Sequence, residues 1–115
     1  MRKVSRKQAQ LNTALNKVYK ELRDTLPPYC SGCGRSDVVL SFSHLIPRSR
    51  RSDLITEKRN IKYHCLGGGD NARKGCHQLW EGGIKDKQKL LDYHSNLEYI
   101  LEVDTEYYFL ITEKN

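Results

Sequence analysis

Apolar side chains near the start of the chain recur at the spacing of one helical face. Between residues 5 and 26 this face carries Leu11, Ala14, Leu15, Val18, Tyr19, Leu22 and Leu26. The period predicts an amphipathic helix that docks on a small core and keeps its polar face in water. Ser5 and Gln8 have the spacing of a capping box at its start, and Pro27 and Pro28 prevent its continuation.

The middle of the chain predicts two short strands joined by a loop. Residues 37–43 follow a glycine-containing turn and are rich in apolar and β-branched side chains, so they read as a strand with His44 at its end. Residues 60–65 predict the second strand. Residues 45–60 between them hold a proline and many basic side chains, which predicts an exposed loop.

Helical patterns fill the remainder of the chain. Asp70 is predicted to cap a helix that runs through residues 76–80 until Gly82 and Gly83 end it. A further helix is predicted from Asp86 onward, with these side chains on one side: Leu90, Tyr93, His94, Leu97, Ile100 and Leu101. Asp104 is predicted to cap a last helix, although the run EYYFLIT after it also suits a strand.

Composition indicates a small, highly charged protein. The 115 residues are 37% hydrophobic and 30% charged, with a mean hydropathy of -0.73, so the apolar core should be modest. No apolar run approaches the roughly 18 residues of a membrane helix. The basic segment MRKVSRKQAQLN lacks the apolar centre of a signal peptide. We therefore expect an intracellular, cytoplasmic protein that does not enter a membrane.

The charge is distributed unevenly along the chain. The net charge is +6, and residues 1–89 hold 19 of the 20 Lys and Arg against 8 acids, whereas residues 90–115 hold one Lys against 6 acids. A one-sided positive field suits a polyanionic partner such as nucleic acid, although many solvated surfaces are also basic. Charge alone therefore leaves the partner open.

All the cysteines of the chain fall into two pairs, with two residues inside the first and ten inside the second: Cys30, Cys33, Cys65 and Cys76. Intracellular thiols stay reduced. A C-x2-C turn directs two sulfurs to one point, and a second pair completes a tetrahedron suited to zinc. The alternatives are unrelated cysteines, a disulfide, or a site in which His64 or His77 replaces one cysteine. A closed four-sulfur site has no open position, so such a zinc would be structural.

The order of these residues forms a longer motif over residues 30–81. The first cysteine pair is followed by the run Ser43-His44-Leu45-Ile46-Pro47, then by Asn60 five residues before Cys65, and then by the pair Cys76-His77. This order resembles the zinc-containing HNH endonucleases of the ββα-metal class. The resemblance implies a small α+β fold in which residues 30–82 form a zinc-bound ββα-metal core. The helix of residues 5–26 and a helical region of residues 84–115 would flank it within a single domain, 1–115.

The resemblance also implies the chemistry of the site. His44 matches the general base that activates water, a task suited to a neutral imidazole with a pKa near 6.5. Asn60 matches an asparagine that orients the site or ligates the metal, and His77 matches the histidine that binds a catalytic Mg2+, Mn2+ or other divalent cation. The implied activity is hydrolysis of phosphodiester bonds in DNA, with RNA as an open alternative. Compact proteins of this kind are typical of phage and prophage genes.

Two positions affect the predicted catalytic cation. Ser43 stands where the family commonly has an acid or a histidine as metal ligand, and a neutral hydroxyl binds a hard cation poorly. Glu81 lies four residues after His77, on the same face of a helix, so it offers a further ligand, or else it simply faces solvent. Ser43 favours a rival interpretation, a non-catalytic zinc module that binds nucleic acid or protein.

Basic residues beyond His44 are predicted to bind the nucleic-acid backbone. The predicted loop presents five such side chains: Arg48, Arg50, Arg51, Lys58 and Arg59. A site that cleaves nucleic acid needs positive charge nearby to hold the phosphates, and most protein contacts to the backbone have this purpose. The loop is therefore expected to provide phosphate contacts.

Overall fold

The structure, a computed structural model, describes residues 5–66 and 74–113. Helix α1 spans Arg6–Thr25, as predicted to within a residue. The Ser5 hydroxyl accepts a hydrogen bond from Gln8 N at 3.0 Å, but the Gln8 side chain donates to Asn12 at 2.9 Å. Half of the predicted capping box therefore forms.

Strands β1 (Leu40–His44) and β2 (Ile61–Cys65) form an antiparallel pair. Leu40 lies opposite Cys65 at one end of this sheet, and His44 lies opposite Ile61 at the other. The prediction that β1 begins at residue 37 is wrong by three residues. The paired register ends where Leu40 lies opposite Cys65. Beyond it Val39 O still accepts from Leu66 N at 2.9 Å, but within residues 5–66 and 74–113 no strand pairs with residues 37 and 38.

Four shorter helices follow the sheet: α2 (Cys76–Glu81), α3 (Ile84–Lys87), α4 (Tyr93–Val103) and α5 (Thr105–Thr112). Gly75 precedes α2, and the predicted cap Asp70 lies outside the described residues. The single helix predicted from residue 86 is wrong, because the chain turns between α3 and α4. There Leu91 N donates to the carbonyl of Gly32, between Cys30 and Cys33, at 2.7 Å. This hydrogen bond replaces the one that Leu91 N would make within a continuous helix.

The last helix follows the prediction. The Asp104 side chain accepts from Tyr107 N at 3.0 Å and so caps α5, which excludes the strand alternative. Among the described residues, no helix is long and apolar enough to cross a membrane. The predicted α+β class is confirmed, with one two-stranded sheet and five α-helices in residues 5–66 and 74–113.

The two faces of the sheet have different neighbours. On one face, the Phe42 ring stacks with Tyr19 of α1 at a centroid distance of 4.4 Å and with Tyr63 of β2 at 4.8 Å. Ser41 and Ser43 alternate with Phe42 along β1 and therefore point to the opposite face, where both contact His77 of α2. The sheet thus sits between α1 and α2.

The segment between the strands is only partly the exposed loop that was predicted. Leu45 and Ile46 are buried, and residues 52–54 and 58–60 form 3₁₀ turns. The two ends of the segment are tied together, because Leu45 N donates to Asn60 O at 2.7 Å. An exposed central part therefore lies between buried ends.

Candidate functional site

The cysteine cluster gathers sulfurs from three parts of the fold. Cys30 and Cys33 lie in the turn before β1, Cys65 ends β2 and Cys76 begins α2, and their four sulfurs lie within 4.8 Å of one another. Around a tetrahedral zinc with bonds of about 2.3 Å, sulfurs sit about 3.8 Å apart, and Cys33 and Cys65 are already 3.8 Å apart. The four cysteines are positioned to bind a metal ion, as predicted, and structural zinc fits this donor set.

Local backbone geometry allows this convergence. Gly34 has a φ of 78°, in the left-handed region that favours glycine. A Cβ atom at Gly32 would lie 2.7 Å from both Cβ and Sγ of Cys76, so only glycine fits there. Cys30 Sγ accepts from Gly32 N at 3.3 Å and from Cys65 N at 3.2 Å. Backbone donors of this kind favour the thiolate form that metals bind.

The alternatives to a four-sulfur site do not fit the geometry. His64 Nε2 lies 2.9 Å from Asp92 Oδ2, and His77 turns to the serines of β1, so neither histidine replaces a cysteine. Burial raises the pKa of Asp92, but the hydrogen bond and charge of His64 together with the hydrogen bond of Asn96 outweigh it and leave that pKa below its usual value. The cysteines are all free thiols, at distances well beyond the roughly 2.05 Å of a disulfide.

His44 stands at the opposite end of the sheet with one ring nitrogen committed. Its Nε2 lies 2.8 Å from Ile55 O, and because a carbonyl only accepts, Nε2 must carry the hydrogen. In the neutral ring the lone pair then belongs to Nδ1. Burial lowers the pKa of His44, and the positive charge of Arg48 lowers it further. The ring is therefore neutral at physiological pH and can accept a proton at Nδ1.

The position of the hydrogen on His77 follows from its neighbours in β1. Ser41 Oγ donates its one hydrogen to His64 O at 3.0 Å, so at 3.0 Å from His77 Nδ1 it can only accept. His77 Nδ1 therefore carries the hydrogen, and Nε2 of the neutral ring has the lone pair. Nε2 lies 3.7 Å from Glu81 Oε1 on the next turn of α2. This nitrogen and this carboxylate are the groups that could hold a divalent cation.

Ser43 has a different position from the one predicted for a metal ligand. It is buried, and its Oγ lies 2.8 Å from His77 Nδ1. The hydroxyl therefore orients the imidazole from behind, as an outer partner of a metal-binding histidine does. The tentative assignment of Ser43 as a direct ligand does not fit this arrangement.

Asn60 is wholly buried and fastens the segment after β1. Its Oδ1 accepts from Ile46 N at 2.9 Å, and its Nδ2 donates to Ile46 O at 3.1 Å and Leu54 O at 3.3 Å. Of the two roles that the resemblance allowed, this geometry fits orientation of the site. Ligation of a metal does not fit, because the amide is committed to the backbone and has no exposed surface.

Most of the predicted phosphate-binding residues already have partners in the fold. Arg50 donates to both carboxylate oxygens of Asp104 at 3.0 and 3.2 Å, and these bonds lower the pKa of Asp104 to about 2. Arg51 Nη1 donates to Val103 O at 3.1 Å. These contacts fasten the segment to the junction of α4 and α5, so the prediction of phosphate contact competes with a structural role.

The two basic residues just before β2 are paired in the same way. Lys58 forms an ion pair with Glu21 of α1. Arg59 pairs with Glu102 of α4 at 2.7 Å and lies 5.0 Å from the centre of the Tyr99 ring. Arg48 differs, because it is exposed and forms no ion pair with any residue in the described part of the chain.

A cavity of about 500 Å³ opens beside His44. Its lining comes from the segment after β1, from α2 and α3, and from α5, and includes His44, Pro47, Arg48, Trp80, Glu81, Lys87 and Tyr107. Lys87 was not predicted from the sequence, since nothing in its local pattern separates it from the other lysines. Its place in the cavity wall depends on residues far away in the sequence, such as His44 and Tyr107, that line the same cavity.

Comparisons with known proteins give no match to any protein-family model, curated protein or solved structure. The fold and the cysteine cluster define the chain as a small α+β protein with four cysteines positioned to bind a metal ion.

Proposed function

We propose that this protein is a metal-dependent nuclease of the HNH type that hydrolyses phosphodiester bonds in DNA. In this proposal β1, β2 and α2 form the ββα-metal core, and zinc in the cysteine cluster holds the three elements together. The observation that carries the proposal is that one cavity contains a neutral histidine with a free Nδ1, His44, and the carboxylate of Glu81. His77 Nε2 stands beside that carboxylate.

These residues have separate tasks in the hydrolysis. His44 Nδ1 takes a proton from a water molecule while the water oxygen bonds to phosphorus and the bond from phosphorus to a sugar oxygen breaks. Ile55 O holds the ring in place through Nε2. His77 and Glu81 would hold the divalent cation, which stabilises charge on the phosphate and on the leaving oxygen. Asn60 keeps the segment after β1 in position.

Ser43 supports a second candidate function. Because the Ser43 hydroxyl is bonded to His77, the protein offers only His77 and Glu81 as ligands to a cation. Hard cations with so few protein ligands depend on water and substrate for the remaining ligands. If binding is too weak for catalysis, the chain is a zinc-stabilised module that binds nucleic acid or another partner without cleaving it.

Incubation with supercoiled plasmid separates the two candidates. Purified protein is mixed with plasmid DNA, or with a labelled RNA, in the presence of Mg2+ or Mn2+ and in their absence. The nuclease proposal expects relaxed or linear DNA only with the cation, and no product from His44→Ala. Binding of DNA without cleavage under any divalent cation would favour the module.

A further inference from the structure

Lys87 is a buried cation in the wall of the cavity. Its residue is 6% exposed, its Nζ donates to Gly82 O at 2.6 Å, and the ammonium lies 5.2 Å from the centre of the Trp80 ring. In the described part of the chain no carboxylate forms an ion pair with it: the neighbouring Asp86 pairs with Lys89, and Asp86 and Glu81 act on the ammonium only through their charges. A buried ammonium without an ion-pair partner costs free energy, and such groups concentrate at functional sites.

Arg48 is the second cation on the same cavity without an ion pair among the described residues. It comes from the segment after β1, whereas Lys87 comes from α3. The other basic residues predicted to bind phosphate are neutralised by acids, for example Arg50 by Asp104. Two cations from separate segments, neither of them in an ion pair among the described residues, thus meet on the cavity beside His44, where the Glu81 carboxylate also lies.

We infer that Lys87, together with Arg48, binds a backbone phosphodiester of the nucleic acid in this cavity and positions it next to His44. This inference rests on the proposed function and adds a residue and a substrate contact to it. An ammonium has three hydrogens, and Gly82 O takes one of them, so the others can reach phosphate oxygens. The Trp80 ring holds the ammonium in place through a cation–π contact.

Trp80 supplies the readout, because it is the one tryptophan of the chain and lines the cavity. Its fluorescence is followed during titration with the dinucleotide dT-dT, or with inorganic phosphate, without any divalent cation. A saturable change is expected with dT-dT. Binding of inorganic phosphate without binding of dT-dT would overturn the inference, because the cavity would then be a small-anion site.

Variants assign the binding to Lys87. Lys87→Met should weaken dT-dT binding roughly tenfold to a hundredfold, the cost of a lost hydrogen bond to a charged group, and Lys87→Arg should restore part of it. Lys85→Met is the matched control, because Lys85 is exposed on the same helix and should bind as the wild type does. Equal affinities of Lys87→Met and Lys85→Met would overturn the inference.

A wild-type measurement covers the case in which Lys87→Met fails to fold. In protein labelled with 15N-lysine, the ammonium signal of Lys87, assigned with Lys87→Arg, should shift on addition of dT-dT, and that of Lys85 should not. No shift at Lys87 would contradict the inference.

The binding measurements do not require the protein to cleave DNA, so this inference and the nuclease proposal can fail separately. Binding through Lys87 in a protein that never cuts DNA would refute the nuclease proposal alone. Cleavage with an unchanged KM in Lys87→Met would refute this inference alone.

Discussion

The cysteine cluster and the cavity beside His44 lie at opposite ends of the same two-stranded sheet. Cys65 is opposite Leu40 at one end, and His44 is opposite Ile61 at the other. Helix α2 connects them, since it begins with Cys76 at the cluster and ends with Glu81 at the cavity. The same three elements thus build two sites of different character.

The two ends differ in whether their reactive atoms are already used. At the cluster the sulfurs face one another and three of the four cysteines are buried, so a bound zinc would leave no open position. At the cavity, His44 Nδ1 has a free lone pair, and the Glu81 side chain, 3.7 Å from His77 Nε2, is 67% exposed. We therefore expect substitutions at the cluster to change stability and substitutions at the cavity to change activity.

The largest effect is expected from Cys30→Ser. Structural zinc contributes an apparent free energy of about 10–16 kcal/mol in small zinc-binding peptides, which exceeds the roughly 5–15 kcal/mol that stabilises a typical domain. The variant should lose bound zinc and its cooperative thermal unfolding, measured by elemental analysis and circular dichroism. Ser31→Ala in the same turn should retain both. An unchanged Tm for Cys30→Ser would show that the cluster has no structural role.

His44→Ala should reduce cation-dependent cleavage by about a hundredfold to ten-thousandfold, the usual contribution of a general base. Its zinc content should stay constant, and its stability should fall by no more than about 1.5 kcal/mol, the size of one hydrogen bond. The rate is measured in single turnover at saturating cation. His94→Ala, which removes an exposed histidine of α4, is the control. Equal rates for the two variants would exclude His44 as the base.

His77→Ala should also lose activity, but through weaker cation binding. Raising the Mn2+ or Mg2+ concentration should therefore recover part of the rate, because the cation can still bind through Glu81 and the substrate. His44→Ala should show no such recovery, and it serves as the comparison. If the two variants respond identically to added cation, the assignment of the cation to His77 is wrong.

Arg50→Ala tests whether the ion pair between Arg50 and Asp104 holds the segment after β1 in place. The variant leaves the Asp104 carboxylate, 7% exposed, without its main partner, which costs about 1–3 kcal/mol. We expect a corresponding loss in the free energy of unfolding in urea. Arg35→Ala is the control, because both side chains of its ion pair with Asp37 are exposed to solvent, and exposed ion pairs contribute little to stability.

The smallest effect is expected from Arg48→Ala. Because Arg48 has no ion pair among the described residues, its loss should leave stability unchanged and should lower the slope of log K against log salt for DNA binding by about one. A lower slope in the double variant of Arg50 and Arg51, with an unchanged slope in Arg48→Ala, would show that Arg50 and Arg51 contact phosphate in spite of their partners in the fold, and that Arg48 does not.

The sequence allowed prediction where a residue's type and spacing were sufficient. The metal site could be predicted from the spacing of the cysteines, because two pairs of thiolates are sufficient to supply four ligands. Helix α1 could be predicted from the spacing of its own apolar side chains. Residues whose partners lie far away in the sequence could not be placed. Arg50 meets Asp104 across 54 positions, and the bond from Leu91 N to Gly32 O that separates α3 from α4 has no local signal.

The pH dependence of cleavage tests the central claim, that a neutral His44 in the cavity is the general base. Burial lowers the pKa of His44 from its ordinary 6.5, so the ring loses its proton at lower pH than an exposed histidine does. The single-turnover rate at saturating Mg2+ should therefore rise to a plateau, with a midpoint below 6.5 and no further rise above about pH 7. Zinc content is checked at each pH, and His44→Ala should lack the rise. A rate that keeps rising above pH 7 and is unaffected by His44→Ala would contradict the account.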